Sequence, residues 1–85
     1  MPRRYEPQYA LGRVARHRRD ELHLTQDEVA TRADIAKMHL SKIENGSGNP
    51  SLGTLRRLAA ALELSTTELV KRMEREDARS SRPSP

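Results

Sequence analysis

The chain has no cysteine, no tryptophan and no phenylalanine, and its aromatic side chains are Tyr5 and Tyr9 alone. Without thiols there is no disulfide framework, no cysteine zinc site and no thiol nucleophile. Two tyrosines make no stacking platform for single-stranded nucleic acid, whose bases must lie on aromatic rings. The longest apolar run, Leu58 to Leu62, falls far short of the roughly 18 residues of a membrane span or of a secretion signal's apolar stretch, so a cytoplasmic location is expected. His17, His23 and His39 form no metal-ligand pattern. Neither a glycine-rich phosphate loop nor a nucleophile elbow occurs. No enzyme activity, metal or cofactor is expected.

What is present is charge. The 85 residues carry 16 Lys and Arg against 12 Asp and Glu, a formal net charge of +4 with a pI near 10.1. That length makes one small domain and leaves no room for a second, ligand-sensing core. The basic balance suits a polyanionic partner, and the scarcity of aromatics makes double-stranded DNA the better candidate.

Hydrophobic spacing and cap signals give an all-α chain of five helices. Residues 1–8, with Arg3, Arg4 and two prolines, read as a flexible basic arm able to reach phosphates or an adjacent minor groove. Residues 9–76 read as the folded domain and 77–85, which have little to bury, as a disordered tail. Helix one is expected over Tyr9–Leu22, with Leu11, Val14, Ala15 and Leu22 on one face. Thr25-x-x-Glu28 is a capping box, and Leu24 can staple onto Val29. Asn45-Gly46 stops helix three, because either residue tolerates a left-handed backbone. Ser51 caps helix four, where Leu52, Leu55, Leu58, Ala59 and Leu62 repeat at helical spacing. Ser65-x-x-Glu68 is a second capping box, with Leu64 and Leu69 as its staple, opening a helix five that carries Leu69, Val70 and Met73.

The stretch Gln26–Ile43 fits two short helices joined by a tight turn. Val29 and Ala33 would face inward from the first, Ile35 would plug the turn, and Leu40 and Ile43 would face inward from the second. Ala30 is small where helices crossing at roughly 90–120° leave little room. This leaves Ala36, Lys37, Met38, His39, Ser41 and Lys42 on the outward face of the second helix, the face that such motifs lay in the major groove. Lys37 and Lys42 can donate to guanine O6 and N7 or to phosphate, Met38 can pack on a thymine methyl unless it folds back onto the core, and Ser41 can donate or accept. These four are the candidates for base readout. His39 is a candidate phosphate contact or an idle surface histidine. Gln26 stands at a helix N-terminus, where free N–H groups and the dipole favour an anion.

From Leu11 to about Arg72 the chain resembles the phage repressor/Cro family, the Xre type. The resemblance is carried by Leu11-Gly12, by Leu24-Thr25-Gln26 before the second helix, by Ile43-Glu44-Asn45-Gly46 after the third and by Asn49-Pro50-Ser51-Leu52 before the fourth. It implies a compact lambda-repressor-like domain whose second and third helices form the helix-turn-helix. It further implies that Gln26 anchors a phosphate, that Asn45 with Ser47 in the following loop forms a second phosphate clamp, and that Arg19 and Glu44 form a partly buried salt bridge with a structural role. Two departures stand out, since His23 and Asp34 occupy positions where relatives carry glycine. Gly53, where relatives often have glutamate, either permits a close backbone approach or is merely tolerated.

The resulting expectation is a transcriptional regulator, a repressor binding a two-fold symmetric operator as a homodimer. Leu62, Leu64, Val70 and Met73 are candidate interface residues or simply core. A second reading is the antitoxin of a toxin–antitoxin pair, with a toxin as protein partner. A third is an adaptor that has lost DNA binding, against which Lys37 and Lys42 argue.

Overall fold

The computed structural model describes residues 7–81. The order is α1 (Pro7–Glu21), α2 (Gln26–Ala33), α3 (Lys37–Glu44), α4 (Leu52–Ala61) and α5 (Thr66–Ser81), with no strand among the described residues. α1 packs on α3 and α5, α2 on α3 and α4, and α4 on α5. The core they enclose is built on Val29, Leu40, Ile43, Leu58, Leu62 and Leu69, all essentially without solvent contact. The all-α, five-helix expectation is met.

The helix starts follow from side-chain caps. At α2 the Thr25 hydroxyl accepts from the Glu28 N–H at 3.1 Å while the Glu28 carboxylate accepts from the Thr25 N–H at 2.9 Å, which completes the capping box. Ser51 caps α4 by accepting from the Thr54 N–H at 3.1 Å. At α5 only half of the expected box forms. Ser65 accepts from the Glu68 N–H at 3.0 Å, but the Glu68 carboxylate accepts from Arg72 at 3.3 Å instead.

The helix ends share one device. His23, Asp34 and Glu63 adopt φ of 57°, 57° and 60°, and the following residue sends its N–H back five positions. Those bonds are Leu24 to the Arg19 carbonyl at 3.1 Å, Ile35 to Ala30 at 3.0 Å and Leu64 to Ala59 at 2.9 Å. Leu24, Ile35 and Leu64 then tuck against the core. This is the Schellman closure, a left-handed residue followed by an apolar one that seals the end. Gly46, at φ 79°, makes the same backbone closure after α3, with Ser47 N–H reaching the Lys42 carbonyl at 3.0 Å, though an exposed serine takes the place of the apolar seal.

Several boundaries and contacts differ from the sequence reading. α1 begins at Pro7, whose fixed φ suits a first helical turn, and α5 continues past Asp77 to Ser81. The rest of the arm, with Arg3 and Arg4, and the end of the tail lie outside the described residues. α5 is also tied back to α1 over a long range: Arg13 donates to Glu76 at 2.6 Å, a partner no local pattern reveals. Leu62 and Met73 are core, 0% and 6% exposed, and so are not available to an interface, whereas Leu64 and Val70 are half-buried. Leu52, expected to face inward from α4, is 69% exposed. Gly53 approaches nothing closely, a Cβ there meeting its nearest atom at 3.8 Å. Gly12 does, because a Cβ there would lie 2.5 Å from the Ile43 carbonyl oxygen and 2.7 Å from that of Glu44. α1 and the end of α3 therefore touch backbone to backbone.

Candidate nucleic-acid interface

α3 is held by Leu40 and Ile43, each 0% exposed. With about 3.6 residues per turn, the side of the helix opposite those two carries Lys37, Met38, Ser41 and Lys42, continued by Asn45. Met38 is 70% exposed, so it does not fold back onto the core. Ser41 is half-buried at the edge of the face, and His39 is half-buried on its flank. The four readout candidates thus share one face, with His39 beside it.

Gln26 opens α2, next to this face. The N–H groups of Gln26 and Asp27, at the first two helical positions, have no intrahelical carbonyl to bond, while Thr25 takes that of Glu28. The Gln26 side chain is fixed from behind: its Nε2 donates to Glu44 Oε1 at 2.9 Å. Glu44 in turn accepts from Arg19 at two points, Nε to Oε2 at 2.8 Å and Nη2 to Oε1 at 3.0 Å, and Arg19 also donates to the Leu24 carbonyl at 3.0 Å. The Glu44 and Arg19 side chains are only 3% and 14% exposed. The hydrogen bonds to Glu44 raise the Arg19 pKa above its ordinary value, against the opposing effect of burial. A buried, doubly bonded pair thus orients a half-buried amide that keeps a second N–H and its carbonyl oxygen for a ligand.

The loop after α3 divides its residues differently. Asn45 is exposed. Ser47 spends both its donors inward, N–H at 3.0 Å and hydroxyl at 3.2 Å, on the Lys42 carbonyl, which also accepts from the Gly48 N–H at 3.1 Å. As folded, Ser47 closes the helix end and has no donor left for phosphate.

The cations are distributed unevenly. Arg13 is held by Glu76, Arg18 by the Leu62 carbonyl at 2.9 Å, Arg32 by Glu63 at 3.3 Å, Arg57 by the Ala33 carbonyl at 3.0 Å and Arg72 by Glu21 at 3.5 Å. These guanidinium groups tie helices together. On the α3 face, Lys37 Nζ lies 3.5 Å from Asp27 Oδ2, and Lys42 has no ion-pair partner among the described residues. Asp27 is the residue that sequence reasoning overlooked at this face. Ten positions separate it from Lys37, a spacing with no local meaning until the turn brings α2 and α3 together.

Two short helices, a left-handed turn at Asp34 sealed by Ile35, and an outward polar face on the second define a helix-turn-helix domain. A family model described as helix-turn-helix matches residues 16–69, and the chain belongs to that family, whose members are DNA-binding transcription regulators. The phage repressor/Cro resemblance is borne out with it. Over 52 residues the chain is 46% identical to an HTH-type transcriptional regulator of Sinorhizobium fredii, y4dJ, a match covering 61% of this chain and 68% of that protein. Over 54 residues it is 41% identical to the ImmF control region 10 kDa protein of Bacillus phage phi105, covering 64% of this chain and 60% of that one. Among solved structures, the restriction-modification controller C.AhdI of Aeromonas hydrophila superposes with a TM-score of 0.70 at 27% identity, over 73% of this chain and 94% of that chain. The fold is also that of the controller C.Esp1396I, solved as a tetramer with its natural 35 base-pair operator, at a TM-score of 0.78 and 22% identity over 85% of this chain and 95% of that one. No helix among the described residues is long and apolar enough to cross a membrane.

Proposed function

We propose that this chain is a sequence-specific, double-stranded-DNA-binding transcriptional regulator that represses from a two-fold symmetric operator as a homodimer in the cytoplasm. The observation that carries the reading is the outward face of α3, where folding leaves a 70% exposed methionine between two lysines, directly opposite the buried Leu40 and Ile43. An apolar side chain left in water on a short polar helix gains contact by meeting a thymine methyl in the major groove, while Lys37, Ser41 and Lys42 supply polar readout. Gln26, the free N–H groups beside it and Asn45 anchor the flanking phosphates, with His39 at the margin. Such contacts position the protein without reading sequence.

Dimerisation supplies the rest of the readout, since a domain this small makes few base contacts. The surface that fits is the start of α5 with the half-buried Leu64 and Val70, beside an open depression of about 460 Å³ lined by Gly53, Arg56, Arg57, Ala60, Leu64 and Ser65. A controller of the same fold, C.Esp1396I, was crystallised as a tetramer with its operator, which accords with assembly of this fold on DNA.

The test is selection of bound duplexes from a randomised pool, followed by footprinting. The expected product is a symmetric motif whose half-sites lie about 10–10.5 bp apart or a multiple of that. No enrichment over repeated rounds, or full affinity for one asymmetric half-site bound by a monomer, would overturn the proposal.

A further inference from the structure

The face proposed to meet DNA is leaner in free cations than a net charge of +4 suggests. Arg19 is committed to Glu44 and Lys37 to Asp27, which leaves Lys42 as the cation of the α3 face with no protein partner among the described residues. These two pairs differ in kind. Arg19–Glu44 is nearly buried and structural, whereas Lys37 and Asp27 are 58% and 71% exposed. A pair so exposed contributes little to folding. It lies where the outward lysine of α3 meets the first turn of α2, the end of that helix that favours an anion.

From this juxtaposition, which takes on meaning only with the DNA-binding reading above, we infer that Asp27 is an intramolecular competitor for Lys37, a carboxylate that occupies the lysine in the free protein and lowers affinity for duplex DNA of every sequence. Any contact that Lys37 makes with a phosphate or a base acceptor must first displace Asp27 or share the ammonium with it. Freeing the ammonium from Asp27 costs the same whichever acceptor Lys37 then takes, on operator or on arbitrary DNA, so Asp27 lowers the overall affinity and leaves sequence preference unchanged. An acidic residue in this place keeps a basic protein from being held indiscriminately by the polyanion.

The experiment is a double-mutant cycle in the full chain with Asp27→Asn, Lys37→Gln and the double variant. Affinity is measured for a mixed-sequence duplex and for the duplex that selection yields, and thermal unfolding verifies that each variant is folded. An exposed pair of this kind predicts binding about three-fold tighter for Asp27→Asn, on both duplexes alike. In the Lys37→Gln background the gain should shrink to less than half on the logarithmic scale, because the lysine to be released is gone. Equal gains with and without Lys37 would reduce Asp27 to simple repulsion, and no gain in either would remove it from the interface, each overturning the inference. A wild-type chain that binds neither duplex would sink the DNA-binding reading itself, which separates the two failures.

Discussion

Arg19 of α1 and Glu44 of α3 meet in a two-point ion pair, and the Glu44 oxygen that accepts from Arg19 Nη2 at 3.0 Å also accepts from Gln26 Nε2 at 2.9 Å. One carboxylate thus joins the first helix, the start of the second and the end of the third. Removing one partner of so buried a pair leaves an uncompensated charge, so Glu44→Ala should destabilise by about 3–5 kcal/mol. An apolar replacement of both, Arg19→Met with Glu44→Leu, should recover most of that loss. The recovered variant has no acceptor to orient Gln26, so it should be stable yet bind all duplexes more weakly. Denaturant unfolding and affinity measured on the same samples check both halves.

Gly12 tests how closely α1 and α3 approach. A methyl there would stand 2.5 Å from a backbone oxygen that cannot rotate away. Gly12→Ala should therefore cost in the range of overpacked cores, about 1–3 kcal/mol, and move the end of α3 that presents Asn45. Thermal unfolding reads the first effect and weaker DNA binding the second.

The left-handed helix ends predict a gain. His23 holds φ 57° with a β-carbon that disfavours it, so His23→Gly should stabilise by about 1 kcal/mol after allowing for the extra freedom of glycine in the unfolded chain. Asp34→Gly should gain less, since aspartate tolerates this region better. A lower melting temperature for His23→Gly would contradict the strain argument.

The capping box carries a pH signature. The Glu28 carboxylate is held below its ordinary value of 4.5, chiefly by the Thr25 backbone N–H and then by the Thr25 hydroxyl. A depressed folded pKa means that the stabilisation is complete above 4.5 and is lost as pH falls through the lower, folded value. Melting temperature should drop on acidification below that point, and Glu28→Gln, which cannot titrate, should flatten part of the drop.

Much of this architecture is legible because its signals are local. Thr25-x-x-Glu28, Ser51 and the helical spacing of Leu40 with Ile43 and of Leu55 with Leu58 are settled within a few residues of chain. His23 and Asp34 were readable as left-handed positions only through the glycines of relatives, and Glu63 gives no sign of its own although it serves the same closure. Features made by distant pairs stay hidden. Arg13–Glu76 ties α5 to α1, Lys37–Asp27 spends a cation of the α3 face, and Arg57 reaches the Ala33 carbonyl. Periodicity places a side chain on a face but does not say what stands opposite, which is why Leu62 and Met73 resembled interface residues until α1, α4 and α5 closed over them.

Readout and anchoring should separate in a pair of substitutions. Lys42→Ala, on the α3 face, should cost about 1–3 kcal/mol on the selected duplex and relax preference at one position. Asn45→Ala, outside the helix, should weaken specific and mixed-sequence duplexes alike. Equal losses from both variants on both duplexes, with folding intact, would remove Lys42 from the readout.

The central claim is that DNA meets the outward face of α3 and the first turn of α2, and amide chemical shifts recorded while duplex is titrated into the labelled full chain test it most directly. The expected result is a contiguous set of shifts from Gln26 to Glu28, along Lys37 to Lys42 and through Asn45, with Arg72 and Arg75 on α5 unmoved. Shifts centred on α1 and α5 with α3 silent would contradict it.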